Sequence, residues 1–458
     1  KKSSYWTLIG VSTLRVIRSF AFSFVLSILL GTIAGKFLLF RQFLSFPMGI
    51  IKATPVISFI LLAIFWFKTN SVPVFIGVLM TLPVMTGGVI AGIQHIDKKL
   101  DDMCTIYGLN VSEKFFSFYV PSVAPYVVNS SLTSFSLTWK VVVASEVIAL
   151  PQRSIGFALQ TAKVQLETAD VFAWTVSIVL VSFLLESLLS FALKHIGVAK
   201  ISIRLPKKND TVQPLNMNVQ TDISIDNFTM SRGGKSLFND FSIHFAAHSI
   251  TAIIAPSGGG KTSLFDCIAG LLKPDSGSIV KQDGAISYLF QEPRLLPSLS
   301  VLENIALPLQ KLFSSEKAKK RACYYLQKVG LSEKKTALST ELSGGEKQRA
   351  ALARAFAYPS SVLLMDEAFQ SQDIRLKTQL GKLFKSLLTE EPKTVVMVTH
   401  DIREAIELAE RILVLDGTPL KIQLDEAVVK SNTDNEGNAV QLFTAGWELE
   451  KKIATILS

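Results

Sequence analysis

Cysteine and acidic residues are what this 458-residue chain has least of where they would matter most. Its three cysteines, Cys104, Cys267 and Cys323, stand far apart. An odd, widely spaced set offers neither a disulfide framework nor a metal knuckle, so reduced thiols in a cytosolic setting are the default. Charge is also scarce, at 18% of residues, against roughly a quarter in ordinary soluble domains. Residues 1–200 hold 16 Lys and Arg but only 8 Asp and Glu, so they carry +8 of the formal net charge of +10. Nucleic-acid binding would want that excess as a basic patch on a soluble face, and no such patch is present. What is there instead is apolar: 49% of residues are hydrophobic and the mean hydropathy is +0.37. The excess is confined to residues 1–200, and a basic surplus beside apolar runs marks membrane flanks.

A chain of this length is expected to form two or three domains. Five runs are long enough to cross a bilayer, for which ~20 apolar residues suffice: Leu14–Gly35, Pro47–Phe67, Val72–Ile93, Ala124–Leu150 and Val171–Ile196. Pro55 and Pro83 fall inside them, as membrane helices tolerate. Lys194, Lys200, Arg204, Lys207 and Lys208 follow the last run and place its end in the cytosol. Alternation then puts Gln94–Pro121 in the cytosol and residues 1–13 outside, despite Lys1, Lys2, Arg15 and Arg18. The sequence begins without Met directly before a span, so a preceding sixth span is expected. Otherwise these basic residues depart from the rule. Lys140, Glu146 and Glu186 are charges within spans and so are expected at a bundle interior or cavity. Asp102–Pro121 reads as two short amphipathic helices broken at Gly108 and stopped at Pro121, suited to lying in a partner's groove.

Residues 201–220, polar and holding two prolines, form a linker. Strand, turn and strand follow from Ile223. The apolar run 250–255 then leads into Pro-Ser-Gly-Gly-Gly-Lys-Thr-Ser and a helix, the context of a phosphate-binding loop. Backbone N–H groups of Gly258, Gly259, Gly260 and Lys261 would cradle phosphates. Lys261 would reach their outer oxygens and Thr262 would hold Mg2+. Ser257 and Ser263 complete the loop. Ala255 stands where glycine is usual, which is acceptable at negative φ. Val362–Glu367 is a buried strand ending in two carboxylates, at the edge where ligands bind. Asp366 suits a Mg2+ ligand through water and Glu367 a general base. Thr394–Val398 is another strand, ending in Thr399 and His400. Finally, Leu342–Arg349 reads LSGGEKQR. Ser343 is an N-cap, Gly344 and Gly345 allow close approach, and the helix start is an anion site. Any Ser-Gly-Gly can cap a helix, and only the rest of the chain distinguishes the two readings.

In this order and spacing, the motifs over Ile223–Leu415 resemble the ATPase of ABC transporters. The resemblance implies that Gln291 senses Mg2+ and contacts a permease, Glu367 is the catalytic carboxylate and His400 the switch histidine. It implies that Asp373 ends the D-loop, and that Ser343, Gly344 and Gly345 bind ATP held by an opposite protomer. Two positions depart from the pattern. The D-loop reads QSQD, Gln370 to Asp373, and Arg232 takes the place of the aromatic residue that stacks on adenine, where an Arg plane can serve. Residues 102–121 resemble the coupling loop of type I importer permeases, with Asp102-Met103-Cys104, Gly108, Phe118 and Val120-Pro121 at the family's spacing. Phe290–Ile305, the stretch TLRVIRSF and the Phe157 region are similar to importers of the nitrate, sulfonate and taurine type.

The expected fold is therefore an all-α transmembrane helical domain, residues 1–200, followed by an α/β P-loop NTPase domain, residues 221–458. The end, Trp447–Ser458, is expected to be a packing helix. The expected function is ATP-driven import of a small solute across the cytoplasmic membrane, with ATP and Mg2+ as cofactors. The partners would be a second copy or a paired permease–ATPase, an extracytoplasmic solute-binding protein and the lipid bilayer, without nucleic acid. Half of an exporter and a membrane-anchored regulatory ATPase are the alternatives. Short cytosolic loops favour the importer.

Overall fold

The computed structural model describes residues 2–196, 221–281, 285–370, 373–428 and 448–456. The proposed linker 201–220 and two D-loop residues, Ser371 and Gln372, lie outside them. The chain divides into two units: residues 1–96 with 115–203, and residues 97–114 with 204–458.

Among the described residues the first unit has helices and no strand. Its elements begin with α1 (Lys2–Lys36), α2 (Leu38–Ala53), α3 (Val56–Trp66) and α4 (Val72–Gln94). The chain then passes through α5 (Lys98–Ile106) and α6 (Val111–Lys114), which fall in the second unit. A π-helical turn at Phe115–Tyr119 leads into α7 (Val120–Ala149), followed by α8 (Ile155–Val164) and α9 (Thr168–Ile196). Among the described residues, four helical segments are long and apolar enough to cross a membrane: Tyr5–Lys36, Val72–Gln94, Val111–Ala149 and Thr168–Leu193. The expected second span, Pro47–Phe67, is not one straight helix. It overlaps α2 and α3, which meet at a bend of 101°. Pro55 causes the break, since it cannot donate to the preceding turn and pushes Thr54 into the extended region (ψ 132°). The pair makes a fifth span only if counted as one.

Small residues let these helices approach. Ser19 and Ser27 of α1 donate to Val74 O and Leu82 O of α4, and Ser23 shares a 2.7 Å hydrogen bond with Thr81. A Cβ on Gly31 would lie 2.6 Å from Val89 Cβ, so only glycine permits this crossing unchanged. Glu146 is not an open pathway charge. It is fully buried, paired with Arg15 Nη1 at 2.7 Å, and accepts from Ser12 and from Gly156 N. Arg15 is thus paired inside the helical unit. Glu186 accepts from Ser182 at 3.0 Å.

The second unit holds two sheets. β1 (Ile223–Arg232), β2 (Lys235–Phe245) and β4 (Ser276–Lys281) form an antiparallel sheet in the order β2-β1-β4. β3 (Ile250–Ile254), β5 (Ile286–Leu289), β6 (Val362–Asp366), β7 (Thr394–Val398), β8 (Arg411–Asp416) and β9 (Lys421–Ala427) form the other, ordered β5-β6-β7-β3-β8-β9. It is parallel except for β9. Its central strands are almost wholly buried, as β-branched and apolar runs between helical layers should be. The helices are α10 (Lys261–Ile268), α11 (Val301–Leu309), α12 (Ser315–Lys328), α13 (Gly344–Ala357), α14 (Ile374–Glu390) and α15 (Ile402–Leu408). Residues 448–456 are helical as expected: Ile453 is buried, and Glu450 pairs with Arg403 and Lys452 with Glu426.

Candidate nucleotide site and docked loop

The strand order places β6, β7 and β3 side by side. Their C-terminal ends therefore bring Asp366 and Glu367, then His400, next to the loop that follows β3. This is the ligand edge of a parallel sheet. Ala255 is buried and is not among the residues of positive φ, so the variant position is unstrained. Gly258 (φ +77°) and Gly260 (φ +105°) take left-handed conformations that side chains resist. A Cβ at Gly258 would meet nothing within 4 Å, so its surface is open for a ligand. Ser257 and Thr262 are exposed, and Gly259 is half-buried against Leu420.

Lys261 is buried, and its Nζ donates to Ala255 O at 2.5 Å and to Pro256 O at 3.1 Å. Burial lowers its pKa, while Glu367 and Asp366 act in the opposite direction. Burial raises the pKa of Asp366, as does neighbouring Glu367. The Glu367 carboxylate lies 2.5 Å from His400 Nε2 and accepts from Gln291 Nε2 at 3.2 Å. Gln291 also donates to Gln370 at 3.4 Å. Glu367 itself holds φ +46°, fixed by its N–H bond to Val398 O at 2.9 Å. Left-handed backbone at a carboxylate over a ligand edge is the strain expected at a functional position.

These residues fit a nucleotide with its cation. The open glycine cradle and a helix start suit phosphate oxygens. Thr262, Gln291 and Asp366 supply the hard oxygen donors that Mg2+ takes. Among the described residues no group of three His, Cys, Asp or Glu could hold a metal ion. A cation here would share phosphate oxygens, as Mg2+ usually does. Arg232 ends β1, and its Nη1 donates to Ser263 Oγ at 3.4 Å, which ties it to the phosphate loop.

The remaining expected residues stand apart. Ser343 caps α13 in a reciprocal capping box with Glu346. Gly344 faces open space, whereas a Cβ on Gly345 would lie 2.6 Å from Leu376 Cδ2. Among the described residues no hydrogen bond joins this triplet to the phosphate loop. Asp373 caps α14 by accepting from Leu376 N at 2.8 Å.

Residues 97–114 pack within the second unit. Gly108 has φ +67°, so the expected break is present, and its carbonyl accepts from Lys311 at 3.0 Å. Pro121 does not stop a helix: it directly follows the π-helical turn Phe115–Tyr119, and the helical segment runs on from Val111 to Ala149. Asp102 lies within electrostatic reach of Asp266 and Arg294. Sequence reasoning passed over the side chains that hold this segment. Tyr107 is fully buried, donates to Tyr288 O at 3.1 Å, and meets Tyr358 edge-on at 5.1 Å. Arg354 lies over its ring at 5.2 Å and donates to Pro293 O and Arg294 O. Arg294 in turn donates to Lys99 O and stacks on Phe290 at 3.8 Å. One arginine of the LSGGEKQR helix thus grips both the segment after Gln291 and the docked loop. The available signals were a lone tyrosine beside Gly108 and an arginine in an alanine-rich helix.

Comparison with known proteins matches residues 238–370 to the family described as ABC transporter, and residues 27–201 to the binding-protein-dependent transport system inner membrane component. An aliphatic sulfonates import ATP-binding protein of Delftia acidovorans is 38% identical over 208 residues, covering 45% of this chain and 83% of that protein. A thiamine import ATP-binding protein of Vibrio cholerae is 36% identical over 197 residues, covering 41% and 83%. Among solved structures, a dimeric ATP-binding cassette bound to ADP and Pi aligns with a TM-score of 0.41 and 29% identity, over 46% of this chain and all of that one.

Proposed function

This chain belongs to the ABC transporter family, a permease domain fused to an ATPase domain, and from that premise we propose that it imports a small solute across the cytoplasmic membrane. It works as a pair of such chains, or with a similar partner, and receives solute from a separate extracytoplasmic binding protein. Its enzymatic activity is ATP hydrolysis coupled to transport.

In this reading the loop Ser257–Ser263 and Lys261 hold the phosphates of ATP, and Arg232 lies against the base. Thr262, Gln291 and Asp366 would hold Mg2+, which would screen phosphate charge. Glu367 orients and deprotonates the attacking water, and His400 keeps its carboxylate in place. Ser343, Gly344 and Gly345 contact ATP bound to the opposite protomer, with Asp373 beside them. The open face of Gly344 supports that role, since nothing in its own chain fills it.

The observation that carries the importer reading is the loop held by Tyr107, Arg294 and Arg354. It is held to Tyr288 and Arg294, which flank Gln291, the glutamine that donates to the proposed hydrolytic carboxylate. A shift at Gln291 would be passed to this loop through the buried Tyr107–Tyr288 bond and through the Arg294–Lys99 bond at its surface. The relatives' names do not agree on the solute's charge, since sulfonates are anions and thiamine is a cation. The test is uptake into proteoliposomes holding the full chain, with ATP inside and candidate binding proteins added outside. ATP-dependent accumulation that requires the binding protein is expected. ATP-dependent export without one would assign the chain to the exporters, and hydrolysis unaffected by any binding protein would favour a regulatory ATPase.

A further inference from the structure

Two sides of α7 are covered. Phe135, Trp139, Val142 and Val143 pack in the cluster with Ile9, Val16 and Ile155. Val141 and Ala149 pack with Ile60, Ala63, Val72 and Ile76. The face left open carries Asn129, Thr133, Ser136, Lys140 and Ala144. Asn129, Thr133, Lys140 and Ala144 are exposed, and Ser136 is half-buried. At 3.6 residues per turn, spacings of 4, 3, 4 and 4 confine them to an arc of roughly 80°. They make one stripe, and the stripe is polar.

The open faces of other spans are different. On α9 they are Phe172, Val176, Leu180, Phe183 and Leu184, and on α1 they include Phe22, Val25 and Leu29. Those surfaces suit lipid. A lysine, an asparagine, a threonine and a serine in line do not, because a charge in the hydrocarbon costs at least about 2.5 kcal/mol and such residues face cavities. Depth makes the same point. Glu146 is level with Arg15, which also reaches the connecting residues Asn70 and Gln152. Lys140 lies six residues deeper, roughly 9 Å along the axis. Arg18, another exposed cation, is less than one turn from Arg15 and is flanked by Leu14, Phe22 and Val25, so it can extend along lipid to the interface. Lys140 makes no ion pair among the described residues.

Resting on the importer reading, we propose that the stripe Asn129–Thr133–Ser136–Lys140 lines the water-filled solute path and that Lys140 selects a small organic anion. An ammonium in a low-dielectric channel attracts anions and repels cations, while the hydroxyls and amide replace solute hydration. Of the two charge classes that the relatives leave open, the stripe chooses the anionic one.

Charged thiol probes test this without knowledge of the solute. Cys104 and Cys267 are buried and Cys323 is exposed, so Cys323→Ser gives a quiet parent. Ser136→Cys in that full-length parent is reconstituted and treated with methanethiosulfonate reagents bearing a sulfonate or a trimethylammonium group. Rapid labelling is expected, about tenfold faster with the sulfonate reagent than in a Lys140→Gln background. Phe183→Cys on the lipid face should stay inert. A Ser136→Cys variant inert to both reagents would overturn the path, and labelling unaffected by Lys140→Gln would overturn the charge selection. ATP turnover of the same samples, with and without added binding protein, separates either result from failure of the importer reading: stimulation by a binding protein in the Cys323→Ser parent keeps that reading whatever the labelling, and hydrolysis that no binding protein changes overturns it.

Discussion

Replacing Glu367 by glutamine keeps the shape of the side chain and removes its charge. In the structure one carboxylate oxygen lies 2.5 Å from His400 Nε2 and the other accepts from Gln291 Nε2. A carboxylate accepts from both, whereas an amide has one accepting oxygen, so keeping both contacts requires the imidazole to accept at Nε2 instead of donating. More important, the amide cannot take a proton. Loss of a positioned general base costs 10²- to 10⁴-fold, or about 3–5.5 kcal/mol on the barrier. In the proposed site the phosphate contacts would come from Lys261 and the 258–261 backbone, so nucleotide affinity should stay within about threefold. Phosphate release by the purified full chain measures the first quantity, and titration with a fluorescent ATP analogue measures the second. Glu367→Asp should fall in between: aspartate tolerates the left-handed backbone and keeps the base but withdraws it by one methylene. Turnover of Glu367→Gln within tenfold of the parent would refute the assignment, and a parallel collapse of affinity would show that the carboxylate serves binding.

Four more outcomes follow from the geometry. Gly344→Leu enters open space, so it should leave melting temperature and ATP affinity intact while lowering turnover about a hundredfold, the cost of a lost transition-state contact; Gly345→Ala meets Leu376 and should cost roughly 1 kcal/mol of stability instead. Tyr107→Phe loses one hydrogen bond, about 1 kcal/mol, whereas Tyr107→Ala should raise hydrogen exchange across 98–106 but not in β6; uniform change would count against a local clamp. Burial first, then Asp102, pushes the Asp266 carboxyl up to about 6. Folding therefore favours its protonated form, and its destabilisation is greatest above that value and fades as pH falls through it. Asp266→Asn should accordingly raise the melting temperature near neutral pH, with a gain that shrinks by about pH 5. Glu146→Gln leaves the Arg15 cation buried without its counter-charge and should cost about 3–5 kcal/mol, much of it regained on adding Arg15→Met.

What the sequence determined by itself was local. The phosphate loop, the capping box at Ser343 and the two carboxylates at a strand end are each written within about a dozen contiguous residues. Backbone sterics and N–H geometry act over that distance, so residue type and spacing suffice to read them. The apolar runs were legible for the same reason, except where Pro55 split one of them. Tertiary structure decided the pairings between distant residues: Gln291 with Glu367, Tyr107 with Tyr288, and Arg15 with Glu146. No local pattern encodes these, because a side chain's partner depends on which strands and helices become neighbours. The same holds for α7. Its polar residues are visible in the sequence, but only packing on its other sides shows that Asn129, Thr133, Ser136 and Lys140 share the face left open.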